Sequence, residues 1–337
     1  MLNSFNITQT GQSHITADKP CQDYSFSQIE TINGTEYVIS AVSDGVGSCE
    51  FSQYGSEIAV NTVIEYISKQ LHKVEDFDEA VILDIIKRGF ESVLEKIEAR
   101  ATQTELPYLE FDCTLTVSVF NGNDLYYGHC GDGGIVILYK DSRYEMITHR
   151  HKGEEFNSVC PVRDTSEWEF GGTSNIVSFV MMTDGVLDSC VDIEQHNNRI
   201  FWPFLESALS ADIKDKAELQ ELRDVWDTFF RIPPEEEGSI RRRVTDDITF
   251  LLVINTEAVI STQIPEFDLK KWREESEEYK RQREEILYKR FNEYTESQKV
   301  SDKQQTHNTR IKKGFGRKRR RLLKKVRHSA SSEKGDN

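Results

Sequence analysis

Ile39-Ser40-Ala41-Val42-Ser43-Asp44-Gly45-Val46-Gly47 is an apolar run that ends abruptly in an acidic residue set among small ones. β-Branched and small apolar residues pack well on a pleated surface, so residues 38–42 predict a buried strand. Asp44 stands where that strand stops. A carboxylate there is carried by a rigid element yet faces a loop, and Gly45 and Gly47 let backbone and ligand approach closely. An isolated Asp-Gly step usually marks a plain turn. Three further stretches change that reading. Residues 176–186, with Thr183-Asp184-Gly185-Val186 at the end, repeat the order apolar strand, Asp-Gly, apolar residue. Tyr126-Tyr127-Gly128-His129-Cys130-Gly131-Asp132-Gly133-Gly134 ends a strand in a glycine-flanked aspartate, and Val244-Thr245-Asp246-Asp247-Ile248-Thr249-Phe250 sets two acids before a strand. Aspartates at strand edges this far apart in sequence predict one oxygen-rich metal site assembled in space.

The chemistry favours aspartate for that task. Mg²⁺ and Mn²⁺ are hard cations that take carboxylate, carbonyl and water oxygens, and a short side chain on a strand end fixes them tightly. Two such ions about 3.5–4 Å apart share a bridging carboxylate and a water, which becomes a nucleophile near neutral pH while the ions offset phosphoryl charge.

Asp44-Gly45-Val46-Gly47, Gly131-Asp132-Gly133, Thr183-Asp184-Gly185-Val186-Leu187-Asp188 and Asp246-Asp247-Ile248-Thr249, in that order, resemble the motifs of the metal-dependent protein phosphatases of type 2C, bacterial type, over residues 1–256. The resemblance implies an α+β fold, a four-layer α-β-β-α sandwich of two antiparallel sheets flanked by helices, with the metal cluster at one end. It implies that Asp44 bridges two ions, that the Gly45 carbonyl serves the second, and that Asp184 and Asp246 complete the first. Asp23 matches an acid that reaches the second ion, and Asp132 and Asp188 match the positions of a third, weaker ion. The implied activity is hydrolysis of phosphoserine or phosphothreonine in proteins by a bimetal-activated water, with no phosphoenzyme and a cognate Ser/Thr kinase as counterpart.

The sequence departs from the family at three places. The phosphate-binding Arg normally found a few residues upstream of Asp23 is missing, and the loop offers His14 and Lys19 instead, for each of which capping or packing is as good a reading. Gly133-Gly134 stand where relatives usually have Ser-Arg, and Val46 stands where eukaryotic members carry a His. The alternative reading is therefore a catalytically weak phosphatase-like module that binds through its basic C-terminal arm. Retention of the metal aspartates argues against it, because crowding carboxylates with no ligand role is costly.

Residues 1–256 carry 20 Lys+Arg against 44 Asp+Glu, a net of −24, whereas residues 312–327 hold 10 Lys+Arg and no acid. So acidic a domain repels nucleic acid and attracts cations or basic peptides, while the basic arm suits a polyanion, either nucleic acid or an anionic surface. Three segments follow: a phosphatase-like domain over 1–256, a charged amphipathic helix within 257–297, and a flexible basic tail over 298–337. No stretch approaches 18 consecutive apolar residues and the N-terminal residues lack the regions of a signal peptide, which predicts a soluble, cytoplasmic protein without a transmembrane segment. Cys21, Cys49, Cys113, Cys130, Cys160 and Cys190 form no Cys-x-x-Cys pair, which fits reduced, mostly buried thiols. Apolar stripes of helical period predict helices over 54–72 and 78–102 on one face of a sheet, and helical stretches recur at 201–209 and 217–230. Residues 113–120, 124–130, 135–139 and 144–147 read as one antiparallel meander. His149-Arg150-His151 reads as a substrate-loop or surface segment rather than a transition-metal pair.

Overall fold

The computed structural model describes residues 1–289 apart from 76, 152–158, 193–198, 238, 243, 283 and 287. In chain order its elements are β1 (Leu2–Gln9), α1 (Gln12–Thr16), β2 (Tyr24–Ile32), β3 (Thr35–Ser43), α2 (Ser52–Leu71), α3 (Glu79–Thr104), β4 (Leu115–Phe120), β5 (Asp124–Cys130), β6 (Gly134–Tyr139) and β7 (Tyr144–Met146). They continue as β8 (Glu169–Ser174), β9 (Ile176–Met182), α4 (Asp184–Cys190), β10 (Val191–Asp192), β11 (Arg199–Ile200), α5 (Trp202–Leu209), α6 (Lys216–Arg231) and β12 (Ile248–Asn255).

Two five-stranded antiparallel sheets result, one in the order β1-β12-β9-β6-β7 and the other β2-β3-β4-β5-β8. Strands β3, β4, β9 and β12 are buried on both faces, which is why they read as near-continuous apolar runs rather than alternating ones. Val38, Val42, Phe120, Phe179, Met181, Leu251 and Val253 fill the space between the sheets. On the far side of the second sheet, Ile39, Ala41, Val117 and Val119 pack with Val63 and Ile67 of α2 and Ile86, Phe90 and Val93 of α3. On the far side of the first, Val180, Met182, Phe250 and Leu252 pack with Trp202 and Leu205 of α5 and Trp226 and Phe230 of α6. Helices, sheet, sheet and helices thus form the expected four layers. At the start of α3 the Asp78 carboxylate accepts the Val81 N–H at 2.8 Å, a cap that contributes about 1 kcal/mol to such a helix.

The predicted meander is corrected. β4 and β5 pair in the second sheet, whereas β6 and β7 belong to the first, where β6 pairs with β9. The chain crosses from one sheet to the other through Gly131-Asp132-Gly133 instead of turning back on itself. Gly131 adopts φ +130°, and a Cβ there would lie 2.5 Å from Thr114 Cβ, so the crossing depends on glycine. Residues 184–190, expected as an Asp-Gly step after a strand and not as a helix, form α4, and α1 and β8 were not foreseen. All six cysteines are free thiols.

The first compact unit runs from Met1 to Phe267, beyond the predicted boundary at 256. Ser261 Oγ donates to the Lys140 carbonyl at 2.7 Å and Thr262 Oγ1 to that of Asp141 at 2.8 Å, which fastens the extra residues to the sheet. The second unit begins at Asp268, whose carboxylate accepts the Lys271 N–H at 2.8 Å, and residues 269–282 are helical. Positions 290–297 of the predicted amphipathic helix and the whole basic tail, with residues 312–327, lie outside the described residues.

Candidate metal centre

At one end of the sandwich, carboxylate oxygens of Asp44, Asp132 and Asp184 lie within 4.8 Å of one another. Each comes from a different junction: Asp44 follows β3, Asp132 occupies the crossing between β5 and β6, and Asp184 opens α4 directly after β9. Asp44 is fixed through its main chain. Its N–H donates to Thr114 Oγ1 at 2.9 Å and its carbonyl accepts the Thr114 N–H at 2.8 Å. Gly45 is bridged to Cys113, and its N–H donates to the Gln22 carbonyl at 3.1 Å. Asp23 is buried just ahead of β2, with Oδ2 accepting from Thr183 Oγ1 at 2.8 Å. Asp246, in the loop before β12, is exposed, and it is close enough to raise the proton affinity of both Asp44 and Asp184.

The electrostatics test whether cations fit. Burial, then the charges of Asp23, Asp184 and Asp246, push the Asp44 carboxyl far above the usual carboxylate range. Burial, then Asp132, Asp246, Asp188 and Asp23, do the same to Asp184. Asp23 is pushed up to about 7, by burial first and by Asp247 second, with the Thr249 and Thr183 hydroxyls opposing. Its Oδ1 is buried and has no hydrogen-bond partner among the described residues. A set of carboxylates that repel one another and include an orphaned buried oxygen fits hard divalent ions. Asp44, Asp23, Asp184 and Asp246 therefore suit a two-ion centre.

The pair assigned by resemblance to a third ion has a cation of the chain itself beside it. Asp132 lies in the main cluster and Asp188 in the second turn of α4, but the Arg150 guanidinium stands between them. Arg150 belongs to the segment expected to be a substrate loop or surface, yet its side chain is 6% exposed and lies against these two acids. His149 is exposed and its Nδ1 lies 3.0 Å from Glu169 Oε1, while His151 packs on the fully buried His129 at 5.3 Å between ring centroids.

His14 lies on α1, buried, with Nδ1 2.9 Å from Asp247 Oδ2. Asp247 is the residue that sequence reasoning passed over. Its carboxylate accepts the Gly11 N–H and the Gln22 N–H, both at 2.6 Å, besides facing His14. It thereby ties the segment before Asp23 to the loop that carries Asp246. Asp246-Asp247 looks like a duplicated acid in sequence; one member faces the cluster and the other is structural. Lys19 reaches the rim of the Asp44 loop, with Nζ donating to the Gly47 carbonyl at 3.3 Å.

The profile of the family described as Protein phosphatase 2C matches residues 10–224. Serine/threonine-protein phosphatase 3 of Escherichia coli (strain K12) is 26% identical over 252 residues, covering 72% of this chain and 94% of that protein. Among solved structures, a bacterial serine phosphatase superposes with a TM-score of 0.52 at 12% identity, over 75% of this chain and 98% of its own. The serine/threonine phosphatase Stp1 from Staphylococcus aureus gives 0.51 at 12% identity, over 76% and 95%. With the aspartate motifs in the same order, the crossed sandwich and the carboxylate cluster at its end, the chain belongs to the protein phosphatase 2C family.

Proposed function

We propose that the protein hydrolyses phosphoserine and phosphothreonine in other proteins at a centre of two divalent ions that Asp44, Asp23, Asp184 and Asp246 would hold. The observation that carries this is the convergence of the Asp44, Asp132 and Asp184 carboxylates within 4.8 Å, each on a separate element end, in a chain of this family. The family uses Mg²⁺ or Mn²⁺. Bound there, such ions supply an activated water and offset the charge of the phosphoryl group.

The chain's own residues provide position and charge. Thr114 holds the Asp44 backbone from both sides, so its carboxylate is aimed before any ion arrives. Thr183 occupies one oxygen of Asp23 and leaves the other for coordination. Val46 carries no exchangeable side-chain proton, and its N–H is bound to the Asp112 carbonyl, so it supplies rigidity and no acid. Lys19, at the rim, suits the incoming phosphate better than His14, whose Nδ1 faces Asp247.

The substrate is a phosphoprotein, in keeping with the name of the Escherichia coli relative, and the natural counterpart is a Ser/Thr kinase. A cytoplasmic location is the simplest setting for that pairing, and among the described residues no helix is long and apolar enough to cross a membrane. Residues 312–327 would add a polyanion contact. The test of the activity is hydrolysis of a phosphothreonine peptide by purified protein with Mn²⁺, with Mg²⁺ and after chelation. Metal-dependent phosphate release is expected. Release that survives chelation, or none with either ion, would remove this reading.

A further inference from the structure

We propose that Arg150 takes the place of the third divalent ion, so that this centre works with two ions and one fixed organic cation. The proposal rests on the two-ion reading of the Asp44 cluster. The Arg150 side chain is 6% exposed, with Nη1 2.8 Å from Asp188 Oδ1 and Nη2 3.9 Å from Asp132 Oδ2. Its Nε donates to the Asp132 carbonyl at 2.5 Å. One guanidinium thus faces both carboxylates that would hold a third ion and also grips the main chain of one of them. Nη2 has no hydrogen-bond partner among the described residues, so charge rather than a bidentate fork relates it to the Asp132 carboxylate.

The segment that carries Arg150 is fastened from both sides. His151 N–H donates to the Gly131 carbonyl at 2.7 Å, and Thr148 Oγ1 accepts the Ile135 N–H at 3.1 Å. Both partners flank the crossing that bears Asp132. Gly134 makes this close approach feasible, since a Cβ there would lie 2.5 Å from Met146 Cε and 2.9 Å from Thr148 Oγ1, while a Cβ on Gly133 would lie 2.6 Å from the Met182 carbonyl oxygen of β9. The departure from the family's usual Ser-Arg at 133–134 and the arrival of an arginine from residue 150 are in this account one change. A guanidinium stays charged at any working pH and cannot be chelated or exchanged. A divalent ion on Asp132 and Asp188 would meet that charge at contact distance, and would have to displace a buried side chain to bind.

Counting bound ions tests this without relying on turnover. Full-length protein is dialysed to equilibrium against Mn²⁺, and free Mn²⁺ is read by electron paramagnetic resonance for the native chain, Asp188→Asn, Arg150→Met and the double variant. We expect two ions per chain for the native protein and still two for Asp188→Asn. Arg150→Met should gain a third, weaker ion, and Arg150→Met with Asp188→Asn should return to two. A third ion on the native chain that Asp188→Asn removes would overturn the proposal, as would Arg150→Met remaining at two. Circular dichroism reports whether Arg150→Met folds; if it does not, the native and Asp188→Asn counts decide alone. Fewer than two ions on the native chain would instead contradict the two-ion reading beneath it.

Discussion

At the scale of single residues, the aspartates of the centre were legible and their supports were not. Asp44, Asp132 and Asp184 each end an apolar run and Asp246 stands just before one, and that pattern survives in one dimension because a strand's length and a carboxylate's position are local facts. Asp247 and Arg150 act on partners far along the chain, and no local pattern marks them. The same distinction separates the two candidate phosphate groups. His14 faces the Asp247 carboxylate and is buried, whereas the exposed Lys19 ammonium donates to the Gly47 carbonyl and has two further N–H donors to offer a ligand. His14→Ala should therefore cost stability, about 1–3 kcal/mol for a buried carboxylate stripped of a partner, with KM for a phosphopeptide little changed. Lys19→Ala should raise KM severalfold and leave the denaturant midpoint where it was. Parallel kinetics and urea unfolding of the two variants check this, and the reverse assignment of effects would make His14 the phosphate ligand.

At the scale of elements, the helices α2, α3, α5 and α6 and the strands β3 to β7, β9 and β12 were read from period and composition, but their allocation to sheets was not. A run of short strands with turns between them says nothing about whether the chain reverses or crosses over; that is decided at Gly131, where φ is +130°. The crossing is also what brings Asp132 to the end of the sandwich where β3, β9 and β12 deliver their acids. Bringing those element ends together has a consequence for stability. Asp23 folds with its carboxyl near 7 against 3.8 in the free side chain, and Asp44 and Asp184 move in the same direction. A carboxyl with a raised pKa in the folded state binds more protons folded than unfolded, so its contribution is fully present below about pH 4 and fades as pH rises through the folded value. Chelated protein should then lose melting temperature by several degrees between pH 6 and pH 8, and Mn²⁺ should restore more at pH 8 than at pH 6. Differential scanning calorimetry with and without chelator measures both. A chelated protein that gains stability over that interval would contradict the crowded-carboxylate account.

At the scale of the whole molecule, charge is divided between an acidic body, −24 over residues 1–256, and a run of 10 basic residues at 312–327. Deleting residues 312–337 should abolish binding to a polyanion such as heparin, and binding by the full chain should weaken steeply with salt, as counterion release requires. Equal retention of the two proteins on a heparin column at every salt concentration would assign the basic run no such role. The larger claim is that distant element ends assemble one hydrolytic centre in which Asp44 is the shared carboxylate. The most direct test is turnover of a phosphothreonine peptide by Asp44→Asn at saturating Mn²⁺, with circular dichroism confirming an intact fold. The account predicts a loss of at least about a hundredfold, or about 2.7 kcal/mol in barrier. Turnover within about tenfold of the native protein, a difference of about 1.4 kcal/mol, would contradict it.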